Sequence, residues 1–381
     1  MRHIPFNKPY LTGSESKYLQ EAVATGKISG NGTFTGKAQK LLTQITGARK
    51  TLLTTSCTDA LEMSAILIGI EPGDEVIMPS FTFVSTANAF ILRGAKIVFV
   101  DSRADHPGMD ETAVEDLITE KTKAIVAVHY AGVACDMEIL KNLAQKHDIF
   151  LIEDAAQAID SYFISGDGER IPLGSIGQLG TLSFHETKNI QCGEGGALLI
   201  NSRQYEQRAE IIWEKGTNRA AFWRGEVDKY GWVDIGSSFL PSELVAAFLF
   251  AQLEEEEKIQ SRRKEIWNTY HQAFQEIESK AHVRRPTVPD HATNNGHAYY
   301  LVCNSEQERA RLIQHLKDQE IHAVFHYQSL HRSKYFETKH DGRELRWADV
   351  YTDCLVRLPL HLHLTNEDLD RTIEEVINHF G

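Results

Sequence analysis

Residues 149–157 read Ile-Phe-Leu-Ile-Glu-Asp-Ala-Ala-Gln, four apolar residues followed at once by two acids. A short apolar run without polar alternation predicts a strand that is buried on both faces, as in parallel sheets covered by helices. Asp154 then lies at the carboxyl end of this strand. Because an unpaired buried charge is costly, we expect its carboxylate either to cap the next helix or to bind a cationic group.

Similar apolar runs and helical patterns alternate on the amino-terminal side of this stretch. The strand candidates are 51–54, 75–78, 96–100 and 124–128, and the segments with helical spacing are 60–68, 114–118 and 139–144. Such alternation predicts an α/β fold with a mostly parallel central sheet sandwiched by helices. Because ligands of these sheets bind beyond the carboxyl ends of the strands, the residues that follow each strand are the candidates for a site.

The pattern changes near residue 242. Residues 242–278 contain no proline or glycine and predict one long helix, with a charged face exposed to solvent. Shorter elements follow, with strands predicted at 299–302 and 322–324 and helices at 306–316 and 365–380. We therefore predict a large domain over 1–240, and a long connecting helix with a smaller α+β domain over 241–381.

Composition narrows the possible settings of the 381-residue chain. It carries 53 acidic against 40 basic residues, and a net charge of −13 makes a nucleic-acid partner unexpected. No run of about 18 apolar residues and no signal-peptide core is seen, so no membrane association is expected. The five cysteines are scattered without a Cys-x-x-Cys pair, which favours a reducing cytoplasmic location.

Lys188 stands between an apolar run that ends at Ser183 and the glycine-rich turn 193–196. Desolvation near strand ends lowers the pKa of a lysine, and a neutral amine attacks carbonyl groups. Taken alone, however, a lysine in such a segment is more often a surface residue. The chemical interpretation therefore needs other groups at neighbouring strand ends.

Two further segments supply such groups. Residues 54–61 join a strand to a helix whose first turn carries Thr58, either an ordinary capped helix or an anion site formed by free amides and hydroxyls. Phe83 follows another strand, where it could belong to the core or stack on a planar ring. A phosphate site, a stacking aromatic, a carboxylate and a lysine together suit pyridoxal phosphate (PLP).

Several long stretches carry a family resemblance. They are 72–80, 82–90, 183–189, 214–219 and 323–327. With them the sequence resembles, over essentially its whole length, the DegT/DnrJ/EryC1/StrS sugar aminotransferases, which are fold-type I PLP-dependent enzymes. It is most similar to the subgroup that forms dTDP-4-amino-4,6-dideoxygalactose. A histidine metal site, open on composition because of the 17 histidines, is not implied by the resemblance.

The resemblance implies a role for each matching position. Lys188 is expected to bind the cofactor aldehyde and to move protons, and His185 to act beside it as a second catalytic residue. The other implied cofactor contacts are Cys57, Thr58 and Ser183 at the phosphate, Phe83 against the ring, Asp154 at the pyridine nitrogen and Gln157 at the ring hydroxyl. The implied substrate contacts are Arg219, Lys229, His326 and Tyr327.

One stretch departs from the wider family pattern Gly-x-Asn-x-Arg. It reads Gly236-Ser237-Ser238-Phe239-Leu240, so Ser238 replaces an asparagine that in relatives reaches the cofactor phosphate of the neighbouring subunit. The resemblance thereby implies a homodimer with shared active sites. The wider pattern also places an arginine where Leu240 stands, which puts any charged contact there in doubt. The subgroup shares the Gly-Ser-Ser pattern.

The expected reaction is transfer of the amino group of L-glutamate to dTDP-4-dehydro-6-deoxyglucose, within lipopolysaccharide or enterobacterial common antigen synthesis. Family members that dehydrate sugars carry histidine in place of the lysine, so Lys188 favours transamination. Three alternatives stay open at this point: a 3-keto or UDP- or CMP-linked sugar, a gluco-configured product, and a regulatory protein that binds PLP without turnover.

Overall fold

The computed structural model describes residues 2–380. The helices are α1 (Glu15–Ala24), α2 (Thr33–Thr46), α3 (Cys57–Leu67), α4 (Val84–Ile91), α5 (Met137–His147), α6 (Glu206–Trp213), α7 (Arg219–Trp223), α8 (Glu243–Glu254), α9 (Glu256–Ala273), α10 (Gln275–Ser279), α11 (Glu306–Asp318), α12 (Arg346–Cys354) and α13 (Asn366–Phe380). The strands are β1 (Lys50–Thr54), β2 (Glu75–Pro79), β3 (Lys96–Val100), β4 (Thr122–Val128), β5 (Phe150–Asp154), β6 (Tyr162–Ile164), β7 (Arg170–Pro172), β8 (Leu179–Ser183), β9 (Gly196–Ile200), β10 (Val283–Arg284), β11 (Tyr299–Cys303), β12 (Val324–Phe325) and β13 (Leu355–Leu358).

A seven-stranded sheet forms the centre of the chain, in the order β1-β9-β8-β5-β4-β2-β3. The pairs from β3 through β8 are parallel, and β9 alone runs antiparallel to both of its neighbours. The predicted mostly parallel sheet is therefore confirmed. Because β4, β5 and β8 run in the same direction, the residues that follow them meet at one edge of the sheet.

Successive residues of each central strand belong to different hydrophobic clusters, as the two-residue period of a strand requires. Leu52, Met78 and Val126 face a layer that includes α3, α4 and α6, whereas Leu53 and Ile77 face a layer that includes α2, α5 and α8. Both faces of the sheet are thus covered by helices. This explains why the strands read as unbroken apolar runs in the sequence.

A second, antiparallel sheet follows in the order β10-β11-β13-β12. Its strands pack with α9, α11 and α13, and Ile4 near the amino terminus joins this cluster through a bridge to Ile321. Helix α8 instead packs on α1 and α2 of the larger layer. The division of the chain at residue 240 stays a prediction.

Three local predictions were wrong. The helix predicted over 114–118 is replaced by two 3-10 turns, at 111–113 and 115–117, and Val114 between them is the one buried apolar side chain of residues 111–118. A single buried residue cannot stabilise a longer helix by packing. The strand predicted over 322–324 is displaced to β12 by the bridge between Ile4 and Ile321.

The third correction concerns the long helix predicted over 242–278. It is interrupted at Glu255, whose φ of −106° and ψ of 16° leave the helical range. Helix α8 packs against the central sheet layer, whereas Ile266 in α9 packs with the second sheet, so the chain must change direction between them. Within residues 2–380, no helix is both long enough and apolar enough to cross a membrane.

Candidate active site

A cavity of 440 Å³ opens at the carboxyl edge of the central sheet, and the second sheet forms one of its walls. Ten of the residues that the sequence singled out line it. They are Cys57, Thr58, Phe83, Asp154, Gln157, Ser183, His185, Lys188, His326 and Tyr327. The cavity thus brings together the predicted lysine, carboxylate, aromatic and anion-binding segment.

Asp154 and its neighbour Glu153 point to opposite sides of β5. The Asp154 carboxylate is 6% exposed and lines the cavity, where it accepts hydrogen bonds from Thr86 Oγ1 at 2.7 Å and from the Ala156 amide at 3.2 Å. Thr86 Oγ1 is in turn 2.9 Å from Thr82 Oγ1. Asp154 is therefore held in place by neutral donors. No arginine or lysine among residues 2–380 is bonded to it, and it can accept a cationic N–H.

Glu153 lies on the far side of the strand and is fully buried. Its carboxylate accepts the amides of Gly174, Ile176 and Gly177 at 2.6–2.7 Å, and His129 Nε2 lies 3.0 Å away. His129 Nδ1 accepts the Cys135 amide, so the ring donates through Nε2 to Glu153. The negative charge of Glu153 is thereby satisfied within the structure, and only Asp154 is available to a ligand.

Lys188 sits in a loop closed by backbone hydrogen bonds between Phe184 and Gly195 and between Glu186 and Gly193. The next residue, Asn189, is anchored through its side chain to Gln260 and to the Asn295 carbonyl. Burial lowers the pKa of the Lys188 amine, although Cys57 and Asp154 act in the opposite direction. The loop therefore presents an amine with an increased neutral fraction, which is the form that attacks a carbonyl carbon.

The amino-terminal end of α3 faces the same cavity. Ser56 caps the helix by accepting the Asp59 amide, and Thr58 Oγ1 donates to Ser85 Oγ at 2.8 Å. Gly196 lies directly against this turn: a Cβ there would be 2.4 Å from the Cys57 amide nitrogen. A glycine is thus required at the start of β9, and the free helix amides beside Ser183 form a site suited to a phosphate.

Aromatic side chains form another part of the lining. Phe83 is 55% exposed although it lies at a strand end, and its ring centroid is 6.1 Å from that of Tyr327. The Tyr327 hydroxyl accepts a hydrogen bond from Gln157 Nε2 at 3.1 Å, while Gln157 Oε1 accepts the Ala131 amide. Phe83 therefore offers a ring face to a planar ligand, and Gln157 is fixed beside it.

The structure adds His297 and Arg357, which were not predicted from the sequence, and gives the predicted residue His326 a partner. His297 Nδ1 lies 2.9 Å from Asn189 Oδ1, which fixes Nδ1 as the donor because the Asn189 amide nitrogen already donates elsewhere. His326 Nδ1 is 2.9 Å from the Tyr130 hydroxyl. Burial holds the pKa of both imidazoles well below 6.5, so both are neutral at pH 7. Arg357 also lines the cavity. The sequence offers one clue to it, because Arg357 is a single charged residue within the apolar run 355–358.

This set of donors fits PLP. The lysine amine, a carboxylate free to accept an N–H, an aromatic face and a helix amino terminus lie around one cavity, and each matches one part of that cofactor. His185 is at the mouth of the cavity, partly exposed, with Nδ1 2.9 Å from Thr187 Oγ1 and Nε2 3.7 Å from Glu194. It belongs to the lysine loop itself and has no hydrogen bond to Asp154.

The remaining predicted residues lie elsewhere. Arg219 and Ser238 line a second cavity of 670 Å³, together with Lys27, Asn31 and Lys215. Close backbone pairing of 214–217 with 232–238 builds it; a Cβ at Gly236 would be 2.2 Å from the Gly216 amide nitrogen. Lys229 is exposed in the adjoining loop and lines neither of these two cavities. The chain by itself does not bring these three residues to Lys188.

The histidines of the alternative metal site are used in other ways. His361 and His363 lie near the carbonyls of Pro5 and Pro9, and His331 contacts Ser80. Within residues 2–380, no group of three or more His, Cys, Asp or Glu side chains is placed to hold a metal ion.

Comparison with known proteins identifies the family. The model of the DegT/DnrJ/EryC1/StrS aminotransferase family matches residues 9–377. The spore coat polysaccharide biosynthesis protein SpsC of Bacillus subtilis is 30% identical over 98% of this chain and 96% of its own length.

Solved structures agree with this match. The aminotransferase TlmJ of Streptoalloteichus hindustanus has a TM-score of 0.90 at 26% identity, covering 99% of both chains. Spr1654 of Streptococcus pneumoniae in its PLP form has a TM-score of 0.89 at 26% identity, covering 99% of this chain and 98% of its own. The fold is thus that of PLP aminotransferases, and the chain belongs to the DegT/DnrJ/EryC1/StrS aminotransferase family as a PLP-dependent sugar aminotransferase.

Proposed function

We propose that this sugar aminotransferase transfers the amino group of L-glutamate to the 4-keto group of dTDP-4-dehydro-6-deoxyglucose. The products are dTDP-4-amino-4,6-dideoxygalactose, for surface polysaccharide synthesis, and 2-oxoglutarate. The observation that carries the proposal is the cavity in which the Lys188 amine and the Asp154 carboxylate meet. The resemblance of residues 214–219 and 236–240 to one subgroup supports the choice of sugar, and the polysaccharide role printed for SpsC is consistent with it.

We assign a separate role to each side chain of the cavity. PLP, when bound, supplies an aldehyde that captures amines and a ring that withdraws electrons. Asp154 would keep a proton on the pyridine nitrogen of bound PLP, because a charge-assisted hydrogen bond favours the protonated form. The α3 amino terminus and Ser183 would hold its phosphate, and Phe83 would cover one face of its ring.

Lys188 acts as the general base and acid. With PLP bound, its amine, whose pKa is lowered by burial, would take the proton from the α-carbon of the donor and hold it for delivery to the cofactor. With the keto sugar the same amine moves a proton in the reverse direction. Because donor and acceptor use one site in turn, we expect ping-pong kinetics. The face of the sugar C4 that receives this proton decides between galacto and gluco products.

We further propose a homodimer in which Arg219, Lys229 and Ser238 of one subunit complete the Lys188 cavity of the other. The supporting observation is an exposed aromatic surface beside the second cavity, where Trp223 is 68% and Trp232 84% exposed. Apolar surfaces of this kind mark protein contacts. Arg219 and Lys229 would supply positive charge for a nucleotide diphosphate in an acidic protein. A cytoplasmic location likewise stays a prediction.

The decisive experiment incubates the PLP-loaded protein with L-glutamate and dTDP-4-dehydro-6-deoxyglucose and identifies the product by NMR. We expect an axial 4-amino group, as in the galacto sugar. Parallel reactions with the 3-keto isomer and with a UDP-linked 4-keto sugar should be much slower. A gluco product, or faster turnover of either control, would contradict the proposed substrate and product. Absence of turnover with every sugar would favour a regulatory PLP-binding protein.

A further inference from the structure

Arg357 is a charged residue on an interior strand. Strand β13 is hydrogen-bonded on one side to β11 and on the other to β12, with Arg357 opposite Tyr300 and Val324. Its neighbours Val356 and Leu358 are buried in the core of the second sheet, so Arg357 points to the other face and lines the Lys188 cavity. The position of the guanidinium is therefore set by a strand that is paired on both sides.

The guanidinium of Arg357 has no anionic partner in the part of the chain described by the structure. Its Nε atom is buried without a hydrogen-bond acceptor, and the group lies 4.6 Å from the centre of the Phe6 ring. Burial lowers its pKa, and only the hydroxyls of Tyr130 and Tyr327 act in the opposite direction. Burying a cation without an acid beside it costs free energy. Such an arrangement is expected where a ligand supplies the negative charge.

The other buried arginine of the cavity differs from Arg357. Arg263 donates through Nε to the Gly296 carbonyl at 3.0 Å and through Nη2 to the carbonyls of His297 and Leu360 at 2.8 and 3.4 Å. These bonds join α9 to the second sheet, so Arg263 has a structural role. Within residues 2–380, Arg357 makes no such bonds to carbonyls. Its N–H donors therefore remain available to a ligand in the cavity.

The position of Arg357 separates it from the predicted phosphate site. The phosphate is expected at the α3 amino terminus, where Thr58 contacts Ser85. Arg357 instead belongs with Tyr130, His326 and Tyr327, whose side chains contact one another through a hydrogen bond and ring contacts. The positive charge of Arg357 also lowers the pKa of Lys188, so it acts within electrostatic range of the reacting amine.

We propose that Arg357 binds a carboxylate of the amino donor, and that this contact orients the α-carbon of the donor toward Lys188. A planar guanidinium with several parallel N–H donors is well suited to a carboxylate. The proposal rests on the proposed use of L-glutamate and assigns the residue that recognises it. The nucleotide diphosphate, by contrast, is expected at Arg219 and Lys229.

The test compares wild-type protein with Arg357→Gln, both loaded with PLP. Glutarate, a dicarboxylate without an amino group, is titrated into each by calorimetry. We expect its Kd to rise about 10- to 100-fold in the variant, as for loss of a hydrogen bond between charged groups. Arg284→Gln is the matched control, because Arg284 lies on β10 of the same sheet but outside the cavity, against Trp347. It should leave the Kd within twofold.

The two half-reactions give a second readout, followed by the absorbance of the cofactor. Arg357→Gln should slow the reaction with L-glutamate by a similar factor. It should leave the reverse reaction with dTDP-4-amino-4,6-dideoxygalactose within threefold, because that amine brings no carboxylate. An unchanged glutarate Kd overturns the proposal, and so does an equal loss in both half-reactions, which would assign Arg357 to the sugar nucleotide or the cofactor.

The experiment also distinguishes loss of PLP binding by the variant from failure of the proposed function. If Arg357→Gln does not retain PLP, Arg357→Lys decides, since it keeps the charge but loses the paired donors. An intermediate rise in the glutarate Kd supports the proposal, and an unchanged Kd overturns it. A wild-type protein that does not react with L-glutamate contradicts the proposed function, whereas a normal wild type with an unaffected Arg357→Gln contradicts only this inference.

Discussion

The Lys188 cavity and the Ser238 cavity differ in how completely a single chain forms them. Around Lys188, Asp154 is 6% exposed, Gln157 is bonded on both sides, and burial keeps the imidazoles of His297 and His326 neutral. Around Ser238, the Arg219 side chain is 48% exposed, lies 4.0 Å from Glu214 and stands 5.9 Å from the centre of the Tyr230 ring. The reactive groups of the first cavity are therefore positioned by the fold of a single chain, while the cations of the second cavity still face solvent.

Replacing Lys188 should produce the largest effect and would test the first cavity directly. Lys188→Ala removes the group that moves the proton, so we expect turnover to fall by at least about 10⁴-fold, the upper range for a general acid–base residue. Absorbance of the covalently bound cofactor should disappear with it. Lys317→Ala, on the exposed face of α11, is the control and should behave as wild type. Retention of both signals would show that Lys188 is not the reacting lysine.

Mixing subunits would test whether the second cavity serves the neighbouring subunit. Arg219→Ala alone should lower kcat/KM for the sugar nucleotide about 10- to 100-fold, the effect of losing one charge-assisted contact. Equal amounts of Lys188→Ala and Arg219→Ala, unfolded and refolded together, give hybrid dimers in half of the molecules. Each hybrid has one intact site, so we expect recovery of about one quarter of the wild-type activity.

The mixing experiment has a clear negative result. Should Arg219 act on the Lys188 of its own chain, no hybrid contains an intact site and the mixture shows no recovery. Each variant mixed with itself provides the baseline. Size-exclusion chromatography at the assay concentration checks that dimers are present.

The smallest expected effect concerns pH and the neutral imidazoles of the first cavity. The folded pKa of His297 lies well below 6.5, so below pH 6.5 the unfolded chain binds a proton that the folded chain does not. The free energy of unfolding should therefore fall as pH decreases from 6.5. His297→Asn, which retains a donor for Asn189, should reduce that slope by up to about 1.4 kcal/mol per pH unit.

Denaturation of the cofactor-free protein at pH 5, 6 and 7, at constant protein concentration, measures this slope. His322→Asn, at an exposed side chain outside both cavities, is the matched control. An equal pH slope for wild type and His297→Asn would show that His297 titrates alike in both states.

The sequence predicts those cavity residues that lie next to a strand end in the chain. Asp154, Lys188 and Thr58 each lie within a few residues of a strand end, so the strand pattern alone predicts that they meet. Arg357 and His297 reach the same cavity from the second sheet, more than 100 residues later in the chain, and no local pattern links them to it. The helix break at Glu255 was missed for a similar reason: it follows from a change of packing partner, which a helical sequence does not reveal.

The fully buried carboxylate of Glu153 ties the active-site strand to a distant loop. It accepts the amides of Gly174, Ile176 and Gly177 at 2.6–2.7 Å, so exchange of each amide requires its hydrogen bond to Glu153 to open. Their hydrogen exchange therefore reports on the packing of this loop against the strand that carries Asp154. The exchange protection of these three amides can be measured in cofactor-free protein. It would report on the integrity of the catalytic strand without cofactor or sugar.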